Sequence, residues 1–148
     1  MYRWIQAATL ILLVASGVIG EAFGVWKLNP ARSTRAGTDR SVILRIGPHR
    51  RGEVLTVDTV AADGRASTSS TILYFDGKPR DFRDSVCSGE QSSWRKDEQT
   101  VEILRECADG GRVQLVRRAV SPGLMVLEIT EQSSEGHPTE RRLVFEKR

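Results

Sequence analysis

Short segments rich in β-branched, aliphatic and aromatic residues recur about every 8–12 residues from residue 24 to the end of the chain. Turn sequences separate them, such as Asp63-Gly64 and Ser121-Pro122-Gly123, in which glycine supplies a positive φ and proline fixes its own φ. No window after residue 23 shows the period of a helix. The predicted strands cover 24–29, 41–46, 53–61, 67–75, 85–95, 99–107, 112–120, 124–132 and 140–147. The sequence therefore predicts an all-β domain of about nine strands.

The connections between these strands are mostly tight turns, which indicates an antiparallel up-and-down meander. An open meander of this length would leave two unpaired edges, so closure into a small β-barrel of about 8–9 strands is favoured. A two-sheet β-sandwich fits the same pattern and is the alternative.

The first 22 residues have the features of a secretory signal peptide. Arg3 precedes a 15-residue apolar stretch from Ile5 to Ile19, and Gly20-Glu21-Ala22 places small residues before Phe23. The stretch is shorter than the roughly 20 residues that a membrane-spanning helix needs. Residues 1–22 are therefore predicted to be removed, leaving the domain 23–148 in a secreted or periplasmic location. An uncleaved anchor is the alternative, and membrane contact is expected only through this segment.

The composition excludes several kinds of protein. A chain of 148 residues with 28% charged residues and a net charge of +3 is long enough for one globular domain. Its two Cys and two His exclude a multi-disulfide scaffold and a zinc site built from several of these residues. Phosphate-binding and dinucleotide-binding motifs are absent from the sequence, so no metal or cofactor is expected.

Cys87 and Cys107 flank a predicted hairpin whose turn falls at Lys96-Asp97-Glu98. A three-residue loop centred on Asp97 would place the two cysteines directly opposite each other, near disulfide distance. In an exported protein we expect a structural disulfide, with two free buried thiols as the alternative. A Cys-x-x-Cys redox spacing is absent.

The residues that most often carry catalysis occur here without partners in the sequence. His49 and His137 lie in predicted turns, and no nucleophile motif accompanies them. Asp58 is a candidate buried acid beside Arg45 or Arg117, an arrangement that is more often structural than catalytic. The chain is therefore not expected to be an enzyme.

Arginine pairs such as Arg50-Arg51, Arg117-Arg118 and Arg141-Arg142 raise the question of a basic surface. Acidic residues are interspersed among them, and nine aromatic residues are too few for a nucleic-acid stacking surface. An ordinary solvated surface and no nucleic-acid partner are expected. The sequence gives no indication of the oligomeric state.

The two ends of the predicted domain resemble a known superfamily. Gly24-Val25-Trp26-Lys27-Leu28 resembles the Gly-x-Trp opening strand of the calycins, which include lipocalins and fatty-acid-binding proteins, and Leu143–Lys147 resembles their closing strand. The segment 26–33, together with Tyr74-Phe75-Asp76-Gly77, is similar to small secreted bacterial lipocalin-like proteins. The resemblance implies that Trp26 seals one end of a barrel and that a late Lys or Arg packs over it.

Two departures from fatty-acid-binding proteins limit what the resemblance implies. Residues 30–40 are too short and too rich in Gly and Arg for the helix-turn-helix lid of that family. The family's carboxylate-binding Arg-x-Tyr corresponds to Leu143-Val144-Phe145, which lacks the arginine. Fatty-acid carriage therefore does not follow from the resemblance.

The resulting expectation is a lipocalin-like barrel that binds a small apolar or amphipathic molecule without catalysis. The alternative is a filled-core barrel whose surface binds an envelope protein or polymer, as an inhibitory or stabilising module. Alternation along the strands predicts the ligand-lining residues Trp26, Leu44, Val57, Tyr74, Leu115, Leu127 and Phe145.

Overall fold

The computed structural model describes residues 22–148, so the predicted signal peptide lies almost entirely outside the described residues. The described part contains ten strands and one short 3-10 helix, Pro30–Arg32. The strands are β1 Gly24–Leu28, β2 Ser41–His49, β3 Gly52–Val60, β4 Ala66–Leu73, β5 Arg80–Arg83, β6 Ser88–Arg95, β7 Thr100–Cys107, β8 Arg112–Ser121, β9 Leu124–Gln132 and β10 Pro138–Lys147. Within these residues no helix is both long and apolar enough to cross a membrane.

All ten strands form one antiparallel sheet in the order β4-β3-β2-β1-β10-β9-β8-β7-β6-β5. The first and last strands pair, with Trp26 opposite Lys147 and Leu28 opposite Phe145. The sheet therefore curls into a nearly closed meander barrel, as predicted, and not into a two-sheet sandwich. Within residues 22–148 no backbone ladder joins β4 to β5, and we call this opening the seam.

The structure has one strand more than the sequence predicted. The segment predicted as one strand at 85–95 begins at Ser88, and the extra strand β5 precedes it at Arg80–Arg83. β5 was missed because its sequence, Arg-Asp-Phe-Arg, carries a single apolar residue. β2 also continues past the predicted turn at Gly47-Pro48, and Pro48 pairs with Glu53 of β3. A proline is tolerated there because β1 begins opposite Ile46, which leaves the other side of β2 unpaired at Pro48.

The connections of the meander fall into two groups, one at each end of the barrel. The half next to the β2–β3, β4–β5, β6–β7 and β8–β9 connections is called the filled half. The half next to the β3–β4, β5–β6, β7–β8 and β9–β10 connections is called the open half.

The core of the filled half is closely packed. Trp26, Phe145, Met125, Leu73 and Ile103 are at most 1% exposed. The indole Nε1 of Trp26 donates a 2.8 Å hydrogen bond to the Ala22 carbonyl, and Lys147 Nζ lies 5.4 Å from the indole centroid. Trp26 is thus part of the packed core, and Lys147 lies beside its ring. The role of Trp26 in sealing one end of the barrel stays a prediction.

A buried ion pair crosses the interior of the filled half. Arg117 of β8 donates hydrogen bonds from both terminal nitrogens to the two carboxylate oxygens of Glu53 of β3. The two side chains are 4% and 1% exposed. Because each charge neutralises the other away from water, the pair fixes the distance between strands on opposite sides of the barrel.

Cys87 and Cys107 form a disulfide, with their Cα atoms 5.2 Å apart. The predicted register was wrong by two residues, because Cys107 pairs with Gly89 in the β6–β7 hairpin. The hairpin turn is centred on Glu98 instead of Asp97, with Arg95 opposite Val101 and the Lys96 N–H donating to the Thr100 carbonyl at 2.9 Å. Cys87 reaches its partner from the loop before β6, where the Ala108 N–H donates to the Ser88 carbonyl at 2.7 Å.

Candidate ligand-binding cavity

The open half contains a cavity of about 630 Å³. One wall is formed by the later part of β3 and the earlier part of β4, and the facing wall by the end of β5 and the loop that follows it. Arg105 of β7 and Arg141 of β10 complete the lining. The residues whose side chains alternate toward this space on β3 and β4 are Leu55, Val57, Thr59, Ser67, Ser69 and Thr71.

The cavity exists because β4 carries small side chains along its first half. Ser67, Ser69 and Thr71 alternate toward the interior, and the next residue on that face is the fully buried Leu73. Since hydroxyl side chains of this size cannot reach across the barrel, they leave space that larger residues fill in the other half. The boundary between the two halves on β4 lies between Thr71 and Leu73.

Arg105 contributes a largely buried guanidinium to the cavity. Its Nε donates a 3.0 Å hydrogen bond to Gln91 Oε1, and its Nη1 lies 3.6 Å from Asp84 Oδ2. The guanidinium carbon lies 4.1 Å from the centroid of the Phe82 ring. Burial lowers the pKa of Arg105, although the nearby Asp84 opposes this effect. The charge is therefore held in a poorly hydrated place with incomplete compensation.

Arg141 contributes a second guanidinium, on the opposite side of the cavity from β4. Its Nη2 donates a 3.1 Å hydrogen bond to Glu131 Oε1. Its Nε is buried and has no hydrogen-bond partner among the described residues. An N–H donor buried in this way favours any group that supplies an acceptor.

A smaller space of about 130 Å³ adjoins the main cavity. The two spaces share Asp84, Val86, Arg105 and Arg141 in their linings. The smaller space is otherwise mainly apolar, with Val113, Leu115, Ile129 and Cys87 around it. The two guanidinium groups therefore lie between a larger space with many hydroxyl groups and a smaller apolar one.

The loop 84–87 lies beside the cavity, and Asp84, Ser85 and Val86 contribute to its lining. Asp84 Oδ1 accepts hydrogen bonds from the backbone N–H groups of Val86 and Cys87 at 2.8 and 2.7 Å. The disulfide fastens this loop to β7 at Cys107. Val86 is 71% exposed although it lines both spaces, so this loop presents an apolar side chain to solvent at the entrance.

The residues predicted to line a ligand occupy three different places. Val57 lines the main cavity and Leu115 the smaller one. Tyr74 lies beside a groove of about 520 Å³ along the seam, where its ring lies 3.9 Å from the Arg80 guanidinium carbon. The packed core contains the other four, which are Trp26, Leu44, Leu127 and Phe145.

The two arginines of the cavity were not among the predicted lining residues. The signal was present in the alternation, since Arg105 shares a strand face with Ile103, and Arg141 shares one with Leu143. Alternation alone does not show that a charged side chain on such a face lines a cavity.

Asp58 and the histidines have surface roles. Arg45 donates hydrogen bonds to Asp58 at 2.8 and 3.2 Å, and Thr68 donates one at 2.7 Å. These contacts lower the pKa of Asp58, but its side chain is 32% exposed, so the expectation of a buried acid was wrong. Arg117, the other predicted partner, is paired with Glu53 instead.

His49 accepts a hydrogen bond from the Arg51 N–H at the β2–β3 turn. Among residues 22–148, no group of three His, Cys, Asp or Glu side chains is placed to hold a metal ion.

The ten-stranded antiparallel meander, closed between its first and last strands, has counterparts among solved structures. A fatty acid binding protein of Schistosoma mansoni in complex with arachidonic acid has a similar fold, with a TM-score of 0.58 and 12% sequence identity over 85% of this chain and 95% of that one. A mutant of the fluorescent protein UnaG is also similar, with a TM-score of 0.55 and 14% identity over 86% of this chain and 96% of that one. No family model and no curated protein matches the sequence. At these identities the likeness establishes a shared fold.

Proposed function

We propose that this protein binds a small amphipathic molecule in the open half of its barrel and does not catalyse a reaction. The observation that carries the proposal is the cavity of about 630 Å³ with two inward-facing guanidinium groups at its side. Pockets for small ligands usually have volumes of about 300–1,000 Å³, so the space suits one such molecule.

The lining of the cavity favours a ligand with two unlike ends. Val57, Phe82 and the apolar residues of the adjoining space would contact a hydrocarbon part. The unpartnered Nε of Arg141 and the partly compensated Arg105 would contact an acceptor on the polar part. The similar fold of a protein that binds arachidonic acid supports an amphipathic ligand for this chain as well.

The packing of the filled half favours a second candidate function. The side chains of Trp26, Phe145 and Met125 are at most 1% exposed, as expected for a barrel that acts through its exterior. In that case Arg105 and Arg141 would be structural and satisfied by Asp84 and Glu131. The surface of the protein would then bind an envelope protein or polymer.

We also propose that the chain is exported, with cleavage after Ala22 and a secreted or periplasmic final location. The apolar stretch 5–19 and the disulfide between Cys87 and Cys107 support this, since disulfides persist in oxidising compartments. The mass of the protein recovered from its host outside the cytoplasm should correspond to residues 23–148 without free thiols. Recovery of the uncleaved chain in the cytoplasm with labelled cysteines would contradict this location.

Ligand binding can be tested with the protein as purified from its host. Native mass spectrometry followed by solvent extraction should show a small molecule bound with a ratio of one per chain. The extracted protein should then bind 1-anilinonaphthalene-8-sulfonate, a fluorescent amphipathic anion, in the vacated cavity.

Two variants make the same volume change inside and outside the cavity. Val57→Phe fills the cavity and should weaken probe binding about tenfold or more. Val120→Phe adds the same ring at a position that is 53% exposed and should leave probe binding unchanged. Equal affinity in both variants, with no co-purified molecule, would favour the surface-binding function. Thermal melting of both variants checks that they are folded.

A further inference from the structure

The two ends of the barrel differ in charge. The end at the filled half, which we call the basic end, comprises residues 47–52, 74–80, 94–100, 118–124 and 147–148. It carries nine Lys or Arg residues and three Asp or Glu residues. The connections at the opposite end, residues 29–40, 61–66, 83–88, 106–112 and 132–138, carry six of each. The cations of the basic end are Arg50, Arg51, Lys78, Arg80, Arg95, Lys96, Arg118, Lys147 and Arg148.

Several of these cations are not neutralised by a neighbour. Arg80, Lys96 and Arg118 form ion pairs with acidic side chains. Of the basic-end cations, six are exposed and form no ion pair in the described part of the chain, namely Arg50, Arg51, Lys78, Arg95, Lys147 and Arg148. An excess of uncompensated positive charge on one end attracts an anionic surface.

Apolar side chains are exposed among these cations. Of the three large hydrophobic residues exposed in the described structure, Trp94 and Val120 lie at the basic end, 38% and 53% exposed. Tyr74 belongs to the same set of connections, with the guanidinium groups of Arg51 and Arg80 near its ring. Tryptophan, tyrosine and an aliphatic side chain among Lys and Arg are typical of surfaces that lie in the headgroup region of a bilayer.

The chain also enters the domain at this end. Gly24, the first residue of β1, pairs with Ile46 and therefore lies next to the β2–β3 connection at 47–52. The apolar stretch 5–19 precedes Gly24 in the sequence. Before the proposed cleavage after Ala22, the apolar stretch is therefore attached to the domain at the basic end.

We propose that the basic end docks on a membrane surface that contains anionic phospholipids. In this orientation the cavity mouth, at the opposite end, faces away from the bilayer. The surface adds a contact beyond the N-terminal segment, and it does not depend on a ligand in the cavity.

The test measures binding of the full chain to vesicles of phosphatidylcholine, with and without added phosphatidylglycerol. The apolar N-terminal stretch is present in every sample, so the difference between the two kinds of vesicle isolates the charge effect. Wild-type protein should bind the anionic vesicles about tenfold more tightly or better, and added salt should reduce this preference.

Two quadruple variants locate the effect on the surface. The first replaces Arg50, Arg51, Lys78 and Arg95 by Ala, and the matched control replaces Arg35, Arg40, Arg83 and Arg112 by Ala. Both remove the same net charge from exposed positions, but at opposite ends of the barrel. The first should lose the preference for anionic vesicles about tenfold, and the control should keep it within about threefold.

A variant with only two substitutions serves as the test should the first quadruple variant fail to fold. Arg50→Ala with Lys78→Ala removes two side chains that make no hydrogen bond or ion pair in the described structure, and should lower the preference about threefold or more. Equal binding to neutral and anionic vesicles, or equal losses in the two quadruple variants, would overturn the proposal. Binding to double-stranded DNA without binding to anionic vesicles would also overturn it and indicate a soluble polyanion as the partner.

Discussion

The filled and open halves of this barrel are built from the same strands but pack in opposite ways. In the filled half, large apolar side chains such as Trp26 and Phe145 exclude solvent completely. In the open half, Ser67, Ser69 and Thr71 line a cavity on the same strand that carries the buried Leu73. Side-chain volume along one strand face, rather than the course of the backbone, therefore separates the closely packed half from the half that contains the cavity.

The charged groups inside the two halves differ in the same way. The Arg117–Glu53 pair of the filled half is bidentate and almost fully buried. In the open half, the Arg141 side chain is 34% exposed and binds Glu131 through one nitrogen. Its Nε has no hydrogen-bond partner among the described residues. The first pair is therefore expected to support the fold, and the second to remain available to a ligand.

The largest expected effect comes from separating these two ion pairs by substitution. Glu53→Ala leaves the charge of Arg117 buried without a partner and should lower the free energy of unfolding by about 3–5 kcal/mol. Glu131→Ala removes the carboxylate from Arg141, which is partly exposed, and should cost at most about 1 kcal/mol. Urea denaturation of both variants measures the difference.

A double variant serves as the control for this prediction. Replacing Glu53 by Leu and Arg117 by Met removes both charges together and should restore much of the stability lost in Glu53→Ala. If Glu131→Ala proves as destabilising as Glu53→Ala, the interior charges of the two halves are equivalent and the comparison fails.

A smaller effect is expected at the boundary between the halves on β4. Leu73→Ala creates a void in the filled half and should lower the free energy of unfolding by about 3 kcal/mol. Thr71→Ala removes a hydroxyl that accepts a 3.0 Å hydrogen bond from Gln91 Nε2 and should cost about 1 kcal/mol or less. Thermal or urea unfolding distinguishes them, and similar losses at the two positions would show that the packing boundary is misplaced.

The smallest effect is a pH dependence that should be alike in both halves. A side-chain hydrogen bond from Arg80 and the backbone N–H of Lys78 hold the pKa of Asp76 well below its ordinary value of 3.8. A carboxylate with a lowered pKa stabilises the folded state above about pH 4, and this contribution is lost as the pH falls further. Asp76→Asn in the filled half and Asp58→Asn in the open half should each flatten the decrease in stability between about pH 4 and pH 2. A much larger flattening in one half would show that surface electrostatics also divides the barrel.

The sequence predicted most of the fold because alternation and turn residues report directly on local structure. The predicted strands overlap the observed ones, and the closing contact between β1 and β10 agrees with the barrel. Arg80–Arg83 was missed because it has little apolar character. The predicted cysteine register was wrong because the turn residues alone do not show which of them is the centre of the turn. Strands and turns whose position depends on pairing with a neighbouring strand are harder to predict from sequence than strands whose own residues alternate.

The interior site was less predictable for a related reason. Alternation placed Arg117 on the same face as Val113 and Leu115, but its partner Glu53 lies 64 residues earlier and on the opposite wall. The cavity depends on small side chains as much as on apolar ones, and a run of hydroxyl residues like that of β4 also fits an exposed edge strand. Which residues line the cavity depends on how all the strands of the barrel are arranged.

The seam between β4 and β5 has a further consequence for how the protein moves. Near the filled half it is bridged, since Asp76 pairs with Trp94 and the Gly77 N–H donates to the Ser93 carbonyl. Farther along, a side-chain contact between Gln91 and Thr71 spans it. Separating β4 from β5 along this part of the seam would break side-chain contacts and leave every backbone ladder intact. The barrel can therefore widen at the seam without unfolding. Amide exchange should accordingly be fastest along the facing edges of β4 and β5. An open seam would also give the proposed ligand a lateral route into the cavity.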